Sequence, residues 1–447
     1  KISNMSLNVQ DISYDGKETT ISSSDESDQL KNEHVEAVYI ISLTSIKRVD
    51  LAVLLILFLG LLVFQLDRMN LASALTGGFA KDISINQNTV NLGNQLMFMG
   101  IVVFEIPCNM VLYRVGPRKW IAGQVFIFGL TATLQVFVKN RAGFLASRLF
   151  LGLTEAGYIP GALYTLSTWY TPEELAKKIA IFFFGMFGGN AISPLLASGI
   201  LKLHAAQGLK GWQWLFLLEG LFTIIISFVT VLCLPESIQR TKSLLGPGVL
   251  RLSSEEKDVL TQATQPSIAS DEGEDPNRID WKVVWKVVSH YQRWPTLISA
   301  FCVFSTWSPL TTYTPSIIMH LGFDRTSANA LAAIGALLAL VVVFFFAYIS
   351  DRTKLRGGTV ITAQLCYLTV VIIAHQVHPH VGKWSRWGLW TLVNSFAVGY
   401  HPVSNTWLQL NCPNRKERSI GISMWVMSSI SGLMVGTQYF RPGDTPL

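Results

Sequence analysis

The sequence is dominated by eleven apolar runs, each long enough to cross a lipid bilayer. A hydrocarbon core of about 30 Å needs roughly 20 apolar residues per helix. Only 14% of the residues are charged, whereas soluble domains carry about 25%. The sequence therefore predicts an all-α, multi-pass membrane protein. The runs lie near residues 50–68, 92–113, 120–138, 143–168, 179–201, 213–234, 297–319, 327–350, 358–377, 386–408 and 419–439.

Composition and motifs exclude several other classes of protein. The five cysteines are odd in number and widely spaced, so they form neither a disulfide framework nor a metal-ligand pattern. The net charge of +6 lies in short loops and not in a basic run with aromatics, so no nucleic-acid partner is expected. The motifs G-x-x-x-x-G-K-[ST], G-x-S-x-G and H-E-x-x-H are absent. We therefore expect no enzyme activity, no metal and no cofactor.

Four regions follow from the spacing of the apolar runs. Residues 1–46 are predicted to be a disordered tail, 47–235 a six-helix half, 236–294 a long central loop, and 295–447 a five-helix half. Short loops on the amino-terminal side carry thirteen Lys and Arg residues, against eight on the opposite side. This bias predicts that the amino terminus is cytoplasmic.

The end of the central loop has the pattern of an amphipathic helix. Trp281, Val284, Trp285 and Val288 recur at helical spacing, with lysines beside them. Such a helix can lie on the cytoplasmic membrane surface. It can equally pack against the protein's own cytoplasmic face.

The two halves of the chain carry matching motifs. Gly157-Tyr158-Ile159-Pro160 in the fourth run is repeated as Gly399-Tyr400-His401-Pro402, 242 residues later. The basic loop after the second run is matched by Asp351–Arg356 after the eighth. Transporters are often built from two such repeats, with the substrate site between them near the bilayer midplane.

The repeat also predicts where a twelfth span would lie. Shifting the sixth run, 213–234, by 242 residues gives 455–476, which is beyond Leu447. The second half would then expose interior surface to lipid, and the carboxyl terminus would lie outside the cell. We therefore expect a truncated chain with little or no transport.

Several segments resemble known permeases. They are Leu66-Asp67-Arg68-Met69-Asn70, Phe104–Asn109, Arg114–Trp120, Gly152–Gly157, Gly211–Trp214 and Leu218–Gly220. The loop motif and the two-half organisation resemble the major facilitator superfamily, although Tyr113 stands where an acidic residue is usual; the second copy keeps Asp351. All the segments together are similar to the fungal allantoate permease (anion:cation symporter) family, including its branch resembling an alternative sulfate transporter.

The resemblance implies a major facilitator fold of twelve spans, of which eleven are seen. It also implies a monomeric secondary transporter in the plasma membrane that imports a small anion, either an organic carboxylate or sulfate, by alternating access. At least one proton would accompany the anion, so that negative charge is not moved against the membrane potential. Two alternatives stay open: a non-transporting nutrient sensor and an inactive truncated permease.

Charged residues inside apolar runs are functional candidates by default. Asp67 and Arg68 are neighbours in the first run, so Arg68 can meet an anion while Asp67 carries a proton or holds another helix. Arg148 and Glu155 share one face of the fourth run at i and i+7. A carboxylate and a guanidinium on one face can link proton binding to anion binding, and the resemblance implies a coupling role for Arg148. Structural roles remain open for all four.

Further polar residues complete the candidate site. Glu105, next to a proline, is either a second proton site or a partner for backbone groups freed by the kink. Tyr158 and His401 occupy adjacent phases of the repeated motif, so both halves could present a polar group to one cavity. Asn190 is the side chain in the fifth run with hydrogen-bonding reach.

The resemblance also assigns conformational gating to the cytoplasmic loops. Gly116, Arg118, Lys119, Asp351 and Arg352 would stabilise the outward-facing state through charge contacts between helices.

Overall fold

The computed structural model describes residues 45–246, 248–264, 279–323, 325–412 and 414–436. The predicted tail up to residue 44, the acidic stretch 271–275 and the segment after Gly436 lie outside these ranges. Within them the chain is helical and contains no strand.

The described chain forms sixteen α-helices, and a π-helical turn precedes the first of them. Each helix begins and ends as follows: α1 Leu55–Thr76, α2 Phe79–Asp82, α3 Gln87–Val115, α4 Pro117–Leu134, α5 Arg141–Glu155, α6 Tyr158–Trp169, α7 Leu175–Ile200, α8 Gly211–Cys233, α9 Ser254–Thr264, α10 Trp281–Val288, α11 Trp294–His320, α12 Arg325–Thr353, α13 Arg356–Val377, α14 Lys383–Phe396, α15 His401–Leu410 and α16 Arg415–Gly436.

These helices form the eleven predicted spans in order. Spans 1, 2 and 3 are α1, α3 and α4; span 4 is α5 with α6; spans 5 and 6 are α7 and α8. Spans 7, 8 and 9 are α11, α12 and α13; span 10 is α14 with α15; span 11 is α16. Eight described segments are long and apolar enough to cross a membrane, and they are spans 1, 2, 3, 5, 6, 8, 9 and 11. The predicted spans 4, 7 and 10 are not among these eight. The predicted all-helical, two-half fold is confirmed.

The repeated Gly-Tyr-x-Pro segments break the two spans that the sequence predicts as continuous. In span 4, Gly157 has φ +86°, a left-handed conformation that favours glycine. Pro160 then lacks the amide hydrogen that would continue the hydrogen-bond ladder of α5, so a new helix starts at Tyr158. Span 10 is interrupted at the equivalent place, between Phe396 and His401.

Small residues bring the first and fifth spans of each half close together. A Cβ atom on Gly185 of span 5 would lie 2.6 Å from the carbonyl oxygen of Phe58 in span 1. A Cβ atom on Gly432 of span 11 would collide with the carbonyl oxygen of Phe301 in span 7. Close backbone approach through small residues is typical of helices packed in membranes.

The two halves meet along four pairs of spans. Spans 5 and 8, spans 5 and 10, spans 2 and 11, and spans 4 and 11 pack against each other. Residues on these spans can therefore contact the opposite half, whereas spans 1 and 6 pack within the first half.

The helix α10 lies on the amino-terminal side, meaning the side of the molecule at which span 1 begins. Val284 and Val287 are buried and pack near Ile420 of span 11, while Trp281 and Trp285 are exposed. The valines of the predicted apolar face therefore pack against the protein, whereas its tryptophans are exposed.

Candidate functional site

Charged side chains are concentrated in the interior of the first half. The charged cluster consists of six residues on spans 1, 2, 4 and 6, and all except Arg68 are fully buried. Water cannot compensate charges at such positions, so protein groups or ligands must do so. The members are Asp67, Arg68, Glu105, Arg148, Glu155 and Glu219.

An ion pair joins spans 1 and 4 at the centre of this cluster. Arg68 Nε donates to Glu155 Oε2 at 2.8 Å, and the Glu155 side chain has no exposed surface. The Arg68 guanidinium also lies 4.2 Å from the centre of the Phe64 ring, a distance typical of cation–π contact. Arg68 therefore presents one edge to Glu155 and one face to an aromatic ring.

The partner of Glu155 differs from the one that the shared helix face suggests. Arg148 lies two turns away on span 4, about 10 Å along the axis, and its Nη2 donates to Asn94 Oδ1 of span 2 at 2.8 Å. Two residues on one helix face point the same way, but their positions along the helix axis decide which side chains each of them contacts. Arg148 remains close enough to Glu155 to attract it electrostatically.

Glycines allow Arg148 to reach span 2. A Cβ atom on Gly152 would collide with the carbonyl group of Met97, and one on Gly93 would lie 3.2 Å from Cγ of Arg148. Spans 2 and 4 therefore approach so closely that the guanidinium contacts Asn94 directly.

Asp67 of span 1 contacts span 6. Its Oδ2 accepts a hydrogen bond from Thr223 Oγ1 at 3.2 Å. Asp67 was predicted either to carry a proton or to hold another helix, and this contact fits the second role. Glu219, near the start of span 6, is buried, with 3% of its surface exposed.

Glu105 stabilises the break in span 4. Its Oε2 accepts a hydrogen bond from the backbone amide of Gly157 at 2.9 Å. Helix starts have unpaired amide groups that favour a nearby carboxylate. The neighbouring Tyr158 donates to the carbonyl oxygen of Leu57 in span 1 at 3.0 Å, so both residues hold the first half together.

His401 occupies an aromatic enclosure between the halves. Its ring centre lies 4.1 Å from that of Phe183 in span 5, 5.1 Å from Phe304 in span 7 and 4.6 Å from Trp425 in span 11. The predicted shared cavity of Tyr158 and His401 is therefore wrong, because Tyr158 points into span 1.

Asn190 is fixed by a residue of span 1. Its Oδ1 accepts a hydrogen bond from Gln65 Nε2 at 2.7 Å. Gln65 lies three residues before Arg68, so this amide pair flanks the charged cluster on the side of span 5.

A network at the amino-terminal side closes the molecule between the halves. Asp351 of span 8 accepts from the backbone amide of Lys177 at 2.8 Å and pairs with Arg356 Nη1 at 2.6 Å. Arg356 Nη2 also donates to the carbonyl oxygen of Pro172 at 2.6 Å. Since Pro172 and Lys177 belong to the first half, these bonds connect the two halves.

A second contact, between neutral groups, joins the two halves on the same side. Asn109 Nδ2 of span 2 donates to the carbonyl oxygen and the hydroxyl of Ser419 in span 11, at 2.6 and 2.8 Å. We call this contact and the Asp351 network together the inner closure.

Four of the five predicted gating residues do not form described contacts across the halves. Gly116 forms the turn after α3 with φ +88°, and Lys119 is exposed. Arg118 donates to the carbonyl oxygen of Lys242 and pairs with Glu236 at 3.1 Å. Arg352 donates to Tyr348, one turn before it. Asp351 alone of the five joins the halves in the described structure.

Sequence reasoning missed the neutral and backbone members of this site. Asn94, Asn109 and the carbonyl of Pro172 carry no charge that would mark them in an apolar run. Arg356 stood in the repeated loop motif, and its position four residues after Arg352 was the available signal.

Comparison with known proteins agrees with this architecture. The model described as Major Facilitator Superfamily matches residues 57–436. An uncharacterized transporter of Saccharomyces cerevisiae is 24% identical and covers 90% of this chain and 74% of that protein. A protein of Agrobacterium vitis named "Putative tartrate transporter" is 26% identical over 86% of each chain.

A solved structure shows the same fold. The proton:xylose symporter XylE aligns with a TM-score of 0.62 over 88% of each chain, at 14% identity. The chain belongs to the Major Facilitator Superfamily.

Proposed function

We propose that this protein is a secondary transporter that moves a small organic anion together with protons by alternating access. The amino-terminal side is taken as cytoplasmic, and the direction is import across the plasma membrane.

The observation that carries this proposal is a set of guanidinium donors in the interior without acceptors. Arg68 Nη2 and Arg148 Nε and Nη1 have no hydrogen-bond partner among the described residues. Leaving buried donors unpaired is costly, and a carboxylate accepts such donors in a bidentate geometry. The relative named for tartrate supports a carboxylate substrate.

The Arg68–Glu155 pair supplies a route to proton coupling. An anion that binds Arg68 competes with the Glu155 carboxylate for the same guanidinium. A displaced, buried carboxylate is costly while ionised, so it is stabilised by taking up a proton. Anion and proton then occupy the site together.

The inner closure supports an alternating mechanism. With the amino-terminal side cytoplasmic, the described conformation is closed toward the cytoplasm. Release of the cargo requires the bonds of Asp351, Arg356 and Asn109 to separate, and the two halves to rock around the central site.

Radiolabelled uptake in a permease-deficient host tests the proposal. The panel is tartrate, allantoate, nicotinate, pantothenate and sulfate, each at acidic and neutral external pH. Against the alternative of an inactive permease, we expect uptake of at least one organic carboxylate, stimulated by acid and abolished by a protonophore. Uptake of sulfate alone, uptake indifferent to the protonophore, or none by protein shown at the membrane would contradict it.

A further inference from the structure

The helix α10 and the turn after it expose aromatic and basic side chains together. Trp285 of α10 and Tyr291 of the turn are 72% and 76% exposed, and Lys282 is exposed beside them. Large exposed apolar groups that lie together mark surfaces that bind a membrane or another protein. The outer face of α10 is the surface formed by Trp281, Lys282, Trp285 and Lys286.

The two kinds of side chain form separate stripes on the outer face. Residues four apart share a helix face, so Trp281 and Trp285 form one stripe, and Lys282 and Lys286 form the next. Tryptophan rings prefer the boundary between lipid headgroups and hydrocarbon, while lysine stems extend from there so that the ammonium reaches the headgroups. This arrangement is typical of helices that lie in the plane of a membrane surface.

The connection to span 7 places this face next to lipid. The helix α10 ends at Val288, and span 7 begins at Trp294. The Nε1 atom of Trp294 donates to the carbonyl oxygen of Val288 at 2.9 Å. The end of α10 therefore lies at the level where span 7 enters the bilayer, which favours a lipid surface over a soluble protein as the partner.

The opposite face of α10 is held by both halves of the molecule. Val284 and Val287 are buried in an apolar cluster with Ile420 of span 11. Ile106 of span 2 packs against the same cluster. These contacts fix the direction of the outer face, and a surface that is already oriented loses less entropy when it binds a ligand.

A surface cavity beside the outer face has the chemistry of a phosphate site. The carboxylate of Glu417 on span 11 lies behind it and is paired with Lys286 at 2.8 Å and with Arg293 at 2.6 Å. Nδ1 of His290 has no hydrogen-bond partner among the described residues. Ammonium, hydroxyl and amide groups all donate hydrogen bonds to phosphate oxygens. The cavity measures about 340 Å³, and its lining contains no acidic residue; it consists of Lys286, Ser289, His290, Tyr291 and Gln292.

We propose that the outer face of α10 and this cavity bind an anionic phospholipid of the leaflet on the amino-terminal side. The two tryptophans lie at the top of the acyl chains, Lys282 and Lys286 attract the negative headgroup, and the cavity receives its phosphate. The proposal goes beyond the proposed function, since it depends neither on the transported anion nor on the direction of transport.

Hydrogen exchange of backbone amides, measured by mass spectrometry on the purified chain in nanodiscs, tests this site. One disc contains phosphatidylcholine alone, and the other contains an equal mixture with phosphatidylserine. We expect the amides of residues 281–293 to exchange about 5-fold more slowly in the mixture. The amides of α9 should exchange equally in both discs. Lys282→Gln and Trp285→Gln should each reduce the slowing to about 2-fold or less.

Lys47→Gln is the matched control, because Lys47 is an exposed lysine on the same side of the molecule, outside α10. It should keep the full slowing. Equal exchange of 281–293 in the two discs, or full slowing in both α10 variants, overturns the proposal.

A last arm separates a lipid from a soluble phosphate. Free glycerophosphoserine added to the phosphatidylcholine discs should leave the exchange of 281–293 unchanged. Slowing by this compound as large as that by phosphatidylserine would overturn the lipid assignment. Because no transported anion is present, failure here leaves the test of anion transport independent.

Discussion

The two halves share their helix breaks but not their interior chemistry. At the repeat offset of 242 residues, Arg148 of span 4 corresponds to Trp390 of span 10, and Glu155 corresponds to Ala397. The first half therefore holds buried charges where the second half holds apolar side chains. In the proposed mechanism the first half therefore binds the anion and the proton, and the second half contributes neutral side chains at the two equivalent positions.

One ion pair is retained in both halves. Lys178 of span 5 pairs with Asp50, at the start of span 1, at 2.7 Å. Near the repeat offset, Glu417 of span 11 pairs with Arg293, just before span 7, at 2.6 Å. The signs of the charges are exchanged, while the link between first and fifth spans is kept. The link between the first and fifth spans is thus kept although its charges are exchanged, whereas Arg148 and Glu155 have no charged counterparts in the second half.

The largest expected effect is from Arg148→Lys in the first half. A lysine ammonium cannot reproduce the guanidinium fork that holds Asn94 and leaves two donors for an anion. We expect the variant to fold and reach the membrane but to lose uptake. Arg386→Lys is the matched control, since Arg386 lies outside the charged cluster and donates to the carbonyl oxygen of Val381. Normal uptake by Arg148→Lys would show that Arg148 has only a structural role.

The inner closure should depend on Asp351 and not on Arg352. Asp351→Asn removes the charge paired with Arg356 and should favour opening at the amino-terminal side by about 10-fold, within the usual range of coupling energies. The measurement is the rate at which a thiol reagent labels a cysteine placed beneath this closure. Arg352→Gln should leave the rate unchanged, and equal rates for both variants would contradict the assignment.

Gly152→Ala should destabilise the first half more than the equivalent change in the second. The new methyl group would collide with the Met97 carbonyl, and overpacking costs about 1 to 3 kcal/mol. At the repeat-related position, Asn394 already carries a side chain, so Asn394→Ala should cost less. Thermal unfolding of both variants checks this, and a Gly152→Ala variant as stable as the parent protein would contradict the collision with Met97.

The smallest effect is expected at the outer ends of the halves. Hydrogen bonds from Lys210 and Trp212 lower the pKa of Asp82. The stability that Asp82 contributes is therefore present above its ordinary pKa, near 4, and is lost as the pH falls through the lowered value. Asp82→Asn should cost less than about 1 kcal/mol at neutral pH, because the pair is partly exposed.

A contact on the same side of the second half is aromatic, with the Phe323 and Trp384 ring centres 4.8 Å apart. The loss in free energy of unfolding caused by Trp384→Leu should therefore be the same at neutral and acidic pH. Unfolding measured at both pH values distinguishes this variant from Asp82→Asn. A cost of Asp82→Asn that persists below the lowered pKa would contradict the ion-pair account.

The sequence predicts the spans well because apolar length alone decides whether a helix can cross a bilayer. It also identifies most of the charged cluster, since charges inside apolar runs are costly and conspicuous. It does not predict that Glu155 pairs with Arg68, because that depends on the depth and rotation of two helices that are distant in sequence. Neutral partners such as Asn94 and Asn109 leave no signal at all.

The most direct test of the account is anion-driven proton movement in proteoliposomes that contain the purified chain and an internal pH dye. Addition of an organic carboxylate found in the uptake panel should acidify the lumen. The signal should be lost in Arg148→Lys and kept in Arg386→Lys. Anion entry without acidification, or an unchanged signal in Arg148→Lys, would contradict the claim that buried charges of the first half couple the two movements.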